Sequence, residues 1–126
     1  MDGQAESAFA LWAAQVESDP NAPAAIDERR SVTRGQLDVL AATIAAQLPK
    51  RAKCIGIVMD HGIEQIAAML AAWRIGAAYV PAEPSFPDQR ISYMFENCKT
   101  DALITQGAYD ARFRTAGLAE IPHILV

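Results

Sequence analysis

Apolar positions along the chain follow two different periods. Four stretches carry them at three- and four-residue spacing, the mark of a helix with a buried face. The first holds Phe9, Trp12, Ala13 and Val16, and the second holds Leu37, Leu40, Ala41, Ile44 and Leu48. The third runs over residues 63–75, and the fourth holds Ile91, Met94, Phe95 and Cys98. Between them lie short strand-like runs at 24–27 with a return at 29–32, and at 54–59, 77–80, 101–105 and 122–126. A further short helix at 109–116 stops at Gly117. The run 54–59 is apolar without a break, as expected of a strand covered on both faces. Strands alternating with helices predict an α/β fold: a mostly parallel sheet flanked by helices on both faces, a three-layer sandwich. Residues 1–126 form one domain, with no repeat and no linker long enough to divide it.

Local signals sharpen several boundaries. Thr33 is a suitable N-cap for the second helix. Gly76 stops the third helix directly before a buried strand, where a positive φ is common. Pro81 and Pro84 hold the next segment extended, and Ser85-Phe86-Pro87-Asp88 reads as a capping box for the fourth helix. The third helix has only Glu64, Gln65 and Arg74 as polar residues. Apolar nearly all round, it asks for burial on more than one side, which marks Ile63, Ile66, Met69, Leu70 and Trp73 as a candidate interface with a partner.

The stretch 73–90, WRIGAAYVPAEPSFPDQR, carries a long pattern of irregular Gly and Pro spacing. It resembles the second core motif of the adenylation domains of nonribosomal peptide synthetases: Leu-Lys-Ala-Gly-x-Ala-Tyr-Val-Pro-x-Asp-Pro, then Tyr-Pro-x-x-Arg-Ile. Gly76, Ala78, Tyr79, Val80, Pro81, Pro84, Pro87, Arg90 and Ile91 fall on it, while Arg74, Ile75, Glu83 and Phe86 depart mildly. Upstream, residues 32–37 resemble a worn first core motif, with Thr33 and Leu37 kept and Arg34 and Gln36 replacing Tyr and Glu. The likeness runs over residues 9–126. It implies the N-terminal part of the adenylation-domain fold, truncated before the ATP-binding motifs of an AMP-forming, amino-acid-adenylating enzyme.

Composition narrows the function classes. With 52% hydrophobic and 21% charged residues the chain is globular, and its net charge of −4 gives no electrostatic case for nucleic acid or an anionic membrane. The start of the chain carries no basic, apolar leader, so a cytoplasmic location is expected. Cys54 and Cys98 are read as buried thiols of a reducing compartment. The seven glycines never cluster, and no phosphate-cradling loop occurs. No catalytic, cofactor-binding or metal-ligating residue is therefore assigned, and no cofactor is expected for this chain alone; ATP and Mg²⁺ belong to the complete family. Asp60 and His61, with Glu83, sit where open α/β sheets place ligands, but read more simply as a solvated loop and a helix cap. His123 reads as a strand-edge residue, and Trp12 and Trp73 as core or interface. Lys50, Arg51 and Lys53 read as a solvated turn at a helix end. Three roles follow: a non-catalytic structural or interaction module of a synthetase assembly, one part of a split adenylating enzyme, or a small-molecule binder using the strand-end loops. The expected partners are other synthetase domains or a second copy of the chain.

Overall fold

A computed structural model describes residues 2–126, with side chains from Ser7 onward. The helices are α1 (Asp2–Ser18), α2 (Arg34–Ala45), α3 (Ile63–Arg74), α4 (Asp88–Asn97) and α5 (Gly107–Phe113). The strands are β1 (Pro23–Ile26), β2 (Ser31–Thr33), β3 (Cys54–Val58), β4 (Ala78–Ala82), β5 (Ala102–Thr105) and β6 (His123–Leu125). A wide helical turn, Arg114–Leu118, continues α5 and is broken at Gly117, whose φ is +90°. β3 to β6 form one parallel sheet in the order β4-β3-β5-β6. The β1–β2 hairpin stands apart as its own antiparallel pair.

Alternation along β3 sorts the core into two layers. Ile55, Ile57 and Met59 join the cluster under α1, α2 and α3, whereas Val58 joins Ile91, Phe95 and Phe113 under α4 and α5. Gly56 shares the second face because the Phe95 ring lies there; a Cβ on Gly56 would sit 3.1 Å from that ring and from Thr100. This is the three-layer α/β sandwich that the periodicity predicts.

Gly76 has φ +77°, and its N–H bonds to Trp73 O while that of Ala77 bonds to Ala72 O. That pair of bonds is a Schellman cap, which turns the chain from α3 into β4. Thr33 closes a full capping box on α2: its hydroxyl accepts from the Gln36 N–H, and the Gln36 side chain accepts from the Thr33 N–H.

Five expectations need correction. Pro81 lies inside β4 instead of ending the strand, opposite Ile57. β4 is an edge strand, where Pro is tolerated. Ser85 does not cap α4; the cap position is Pro87, with no side-chain hydrogen bond. Leu48 is buried but lies beyond α2, which ends at Ala45. Cys98 is exposed, because α4 ends one residue before it; both thiols are free, and burial pushes the half-buried Cys54 thiol up. Finally, α3 is covered largely from within the chain. Ile63 and Leu70 are core residues, Met69 and Trp73 are half-buried against that core, and Ile66, 40% exposed, is the one open position of the five. α1 and α2 supply most of this cover and leave Ile66, Met69 and Trp73 partly open. Trp12 Nε1–H on α1 donates to Asp38 on α2 at 2.9 Å, and Arg74 at the end of α3 reaches the same carboxylate at 3.2 Å.

Candidate functional site

The strand order fixes where a site can form. β3 leads through α3 to β4 on one side, and β5 leads through α5 to β6 on the other, with the two helices on opposite faces. The crevice beyond the carboxyl ends of β3 and β5 is therefore a topological switch point, the usual ligand position of doubly wound sheets. A cleft of about 350 Å³ opens there, lined by Asp60, His61, Glu83, Pro84, Ser85 and Tyr109.

The strand ends bring together the three residues that the sequence marks. His61 Nε2 lies 2.9 Å and 3.1 Å from the two Glu83 oxygens. Tyr109 O–H donates to Asp60 Oδ1 at 2.6 Å, and the Asp60 N–H donates to Gln106 Oε1 at 3.0 Å. The bond to Asp60 holds the Tyr109 phenol above its usual range. Each carboxylate thus already has a partner. The His61 side chain is 72% and that of Glu83 43% exposed, so their contact lies in water and contributes little to stability. Among the described residues no group of three or more His, Cys, Asp and Glu side chains could hold a metal ion. No phosphoryl chemistry is assigned to this donor set.

The motif loop beside the cleft is held by α5. The Arg112 guanidinium donates to Asp88 Oδ1 at 2.6 Å, to Pro84 O at 2.7 Å and to Phe86 O at 2.9 Å. One planar fork thereby satisfies two loop carbonyls and a carboxylate on the first turn of α4. Arg90 stacks on the Phe86 ring at 4.0 Å from its centroid, and Tyr79 on β4 meets Trp73 at 5.9 Å. Ala78, Tyr79 and Val80 are half-buried on β4, Pro84 is half-buried in the loop, and Pro87 and Arg90 are exposed at the start of α4. Leu37 is buried under α2. Sequence pattern gave no sign of the role of Arg112, since it lies 24 to 28 residues from its partners.

Asp27 is a second residue that pattern reading missed. One oxygen accepts from the N–H groups of Arg29 and Arg30, shaping the hairpin turn, and the other accepts from Ile63 N–H at 3.2 Å. It caps α3 from outside the helix, because Gly62 at the cap position has no side chain to do so. The backbone N–H of Arg29, then that of Ile63, holds the Asp27 carboxyl below its usual range.

A parallel sheet with a switch point and a clamped Pro-rich loop defines a doubly wound α/β fold. The family model for AMP-binding enzymes matches residues 12–124, and the chain belongs to that family. It corresponds to the N-terminal segment of a peptide-synthetase adenylation domain. It is 35% identical over 100 residues to gramicidin S synthase 2 of Brevibacillus brevis, covering 76% of this chain and 2% of that protein. It is 34% identical over 121 residues to the nonribosomal peptide synthetase asaC of Aspergillus flavus, covering 93% of this chain and 11% of that protein. Among solved structures, the nonribosomal peptide synthetase FmoA3 in its α-methyl-L-serine-AMP bound form superposes with a TM-score of 0.77 at 26% identity, over 82% of this chain and 12% of that one. VinN in complex with L-aspartate shares the fold, with a TM-score of 0.81 at 19% identity, over 94% of this chain and 34% of that one. The chain thus spans between 2% and 34% of the length of these four proteins. Among the described residues no helix is long and apolar enough to cross a membrane.

Proposed function

We propose that this chain is a non-catalytic structural and docking module of a nonribosomal peptide synthetase assembly. The observation that carries the reading is the Arg112 fork, which holds the motif loop by contacts made wholly within the 126 residues. A loop fixed in advance costs little ordering entropy when a neighbouring segment docks on it. On this reading ATP and Mg²⁺ are handled by the segments that dock, and the strand-end residues shape a contact surface. The docking partners are other synthetase domains or a second copy, meeting the strip of Ile66, Met69 and Trp73 that α1 and α2 leave partly open. On this reading the chain works in the cytoplasm, a reducing compartment in keeping with its two free thiols.

A second reading, one part of a split adenylating enzyme, draws on the cleft at the switch point. Supplying in trans the remainder of a related adenylation domain separates the two. The module reading expects that remainder to bind the chain without gaining carboxylate-dependent pyrophosphate exchange. Exchange restored by mixing would establish the split enzyme.

A further inference from the structure

The side chain of His123 on β6 is buried, and both of its ring nitrogens meet acceptors. Nδ1 lies 2.7 Å from Asp110 Oδ1, and Nε2 lies 2.6 Å from the carbonyl oxygen of Leu118. A neutral imidazole has one N–H and one lone pair, so it can satisfy only one of these contacts. The other would set a lone pair against an acceptor, away from water, at a cost comparable to a lost hydrogen bond. Only the doubly protonated ring fits both partners.

We infer that His123 acts as a proton-dependent staple that docks the α5 unit onto the sheet edge. Its two partners sit at opposite ends of that unit, Asp110 in the first turn of α5 and Leu118 at the end of the wide turn. Beside and between them lie groups that bind α5 to the rest of the molecule. Tyr109 holds Asp60 at the cleft, Arg112 holds the motif loop, and the Ala116 carbonyl accepts from Ser92 on α4. Losing the ring proton therefore loosens the segment that positions both the cleft and the loop.

The charged groups facing the ring are few. Asp110 meets it directly, with Arg114 bonded to the other Asp110 oxygen at 2.9 Å. β5 contributes Leu103 in register, and Glu120, on the approach to β6, is exposed. Arg114 first, and His123 second, hold the Asp110 carboxyl below its usual range. The signs follow from the two groups. The depressed Asp110 supports docking above its unfolded value, and that support is lost as pH falls through its folded value. The ring supports docking while both nitrogens carry protons, and that support is lost when either proton leaves. Docking of α5 is thus bell-shaped in pH, with His123 forming the alkaline limb.

The test is nuclear magnetic resonance of the ¹⁵N-labelled full chain across pH. The ring nitrogen shifts report the protonation state of His123, and amide exchange across residues 107–118 reports docking. The expected result is an imidazolium wherever 107–118 is protected. On the alkaline side, exchange should rise roughly tenfold or more as the ring loses its proton, while α2 and α3 stay protected. Asp110→Asn supplies the decisive control, because an amide can donate to Nδ1 while a neutral ring donates from Nε2 to Leu118. This variant should keep 107–118 docked with no alkaline limb, and Arg114→Ala should retain the limb. A neutral ring in the protected state, an alkaline limb that persists in Asp110→Asn, or one abolished by Arg114→Ala overturns the inference. The ring shifts of the unaltered chain decide the matter even where a variant fails to fold.

Discussion

Two helix ends in this fold use the same hydrogen-bond pattern with different residues, and exchanging their chemistry should move stability in opposite directions. α3 ends on Gly76 at φ +77°, and α4 ends on Lys99 at φ +53°. At the second end the Lys99 N–H reaches Glu96 O and the Thr100 N–H reaches Phe95 O, repeating the cap at Gly76. A Cβ on Gly76 would meet nothing within 4 Å, so a substitution there acts through the backbone and not through a clash. A non-glycine residue in the left-handed region costs roughly 1–2 kcal/mol. Removing glycine returns about 0.4–1 kcal/mol by restricting the unfolded chain. Gly76→Ala should therefore destabilise by roughly 0.5–1 kcal/mol, and the β-branched Gly76→Val by more than about 1 kcal/mol. The same terms reversed give Lys99→Gly a gain of roughly 0.5–1 kcal/mol. With about 2.1 cal/mol/K of unfolding entropy per residue, a 126-residue chain shifts its Tm by roughly 4 °C per kcal/mol. Thermal and urea unfolding of the three variants would read this directly. A Gly76→Val variant that melts with the parent would refute the reasoning, as would a Lys99→Gly variant that melts below it.

Two further substitutions test contacts that act at a distance in sequence. Arg112→Lys keeps the charge but cannot span two carbonyls and a carboxylate, so it should cost about 1–2 kcal/mol and speed amide exchange in the 84–88 loop more than elsewhere. Uniform exchange changes across the chain would show that the fork does not hold the loop. Asp27→Asn addresses pH dependence. The carboxyl is held low in the folded state, so its contribution is present above the unfolded value and lost as pH falls through the folded one. The variant should flatten the acid limb of the stability profile, and an unchanged limb would place the effect on other carboxylates.

Much of the architecture was legible because local and tertiary demands agree. The apolar run of β3 is buried on both faces, Thr33 caps α2, and Gly76 has the positive φ that its position between helix and strand suggested. The misreadings occur where a distant partner overrides a local signal. Ser85 had the residue type of a cap, but Arg112 fixes the loop carbonyls and α4 starts from Pro87. The apolar girth of α3 suggested a missing partner, but most of it records cover by α1 and α2, the first of them about fifty residues earlier in the chain. The strand-end residues Asp60, His61 and Glu83 could be located from topology, whereas their pairing with one another and with Tyr109 required the fold. His123 lies on the edge strand β6, as expected, but its hydrogen-bond partners were not legible. Its partners Asp110 and Leu118 meet it only once α5 folds back against β6.

Whether the chain is catalytic on its own is decided most directly by carboxylate-dependent ATP–pyrophosphate exchange on the isolated chain, measured over a panel of amino and aryl acids. A non-catalytic module whose strand-end carboxylates are already paired should show exchange no greater than a heat-denatured control, with or without Mg²⁺. Robust exchange with any acid, lost on changing Asp60 or Glu83, would contradict the proposed role and make the switch-point cleft an active site.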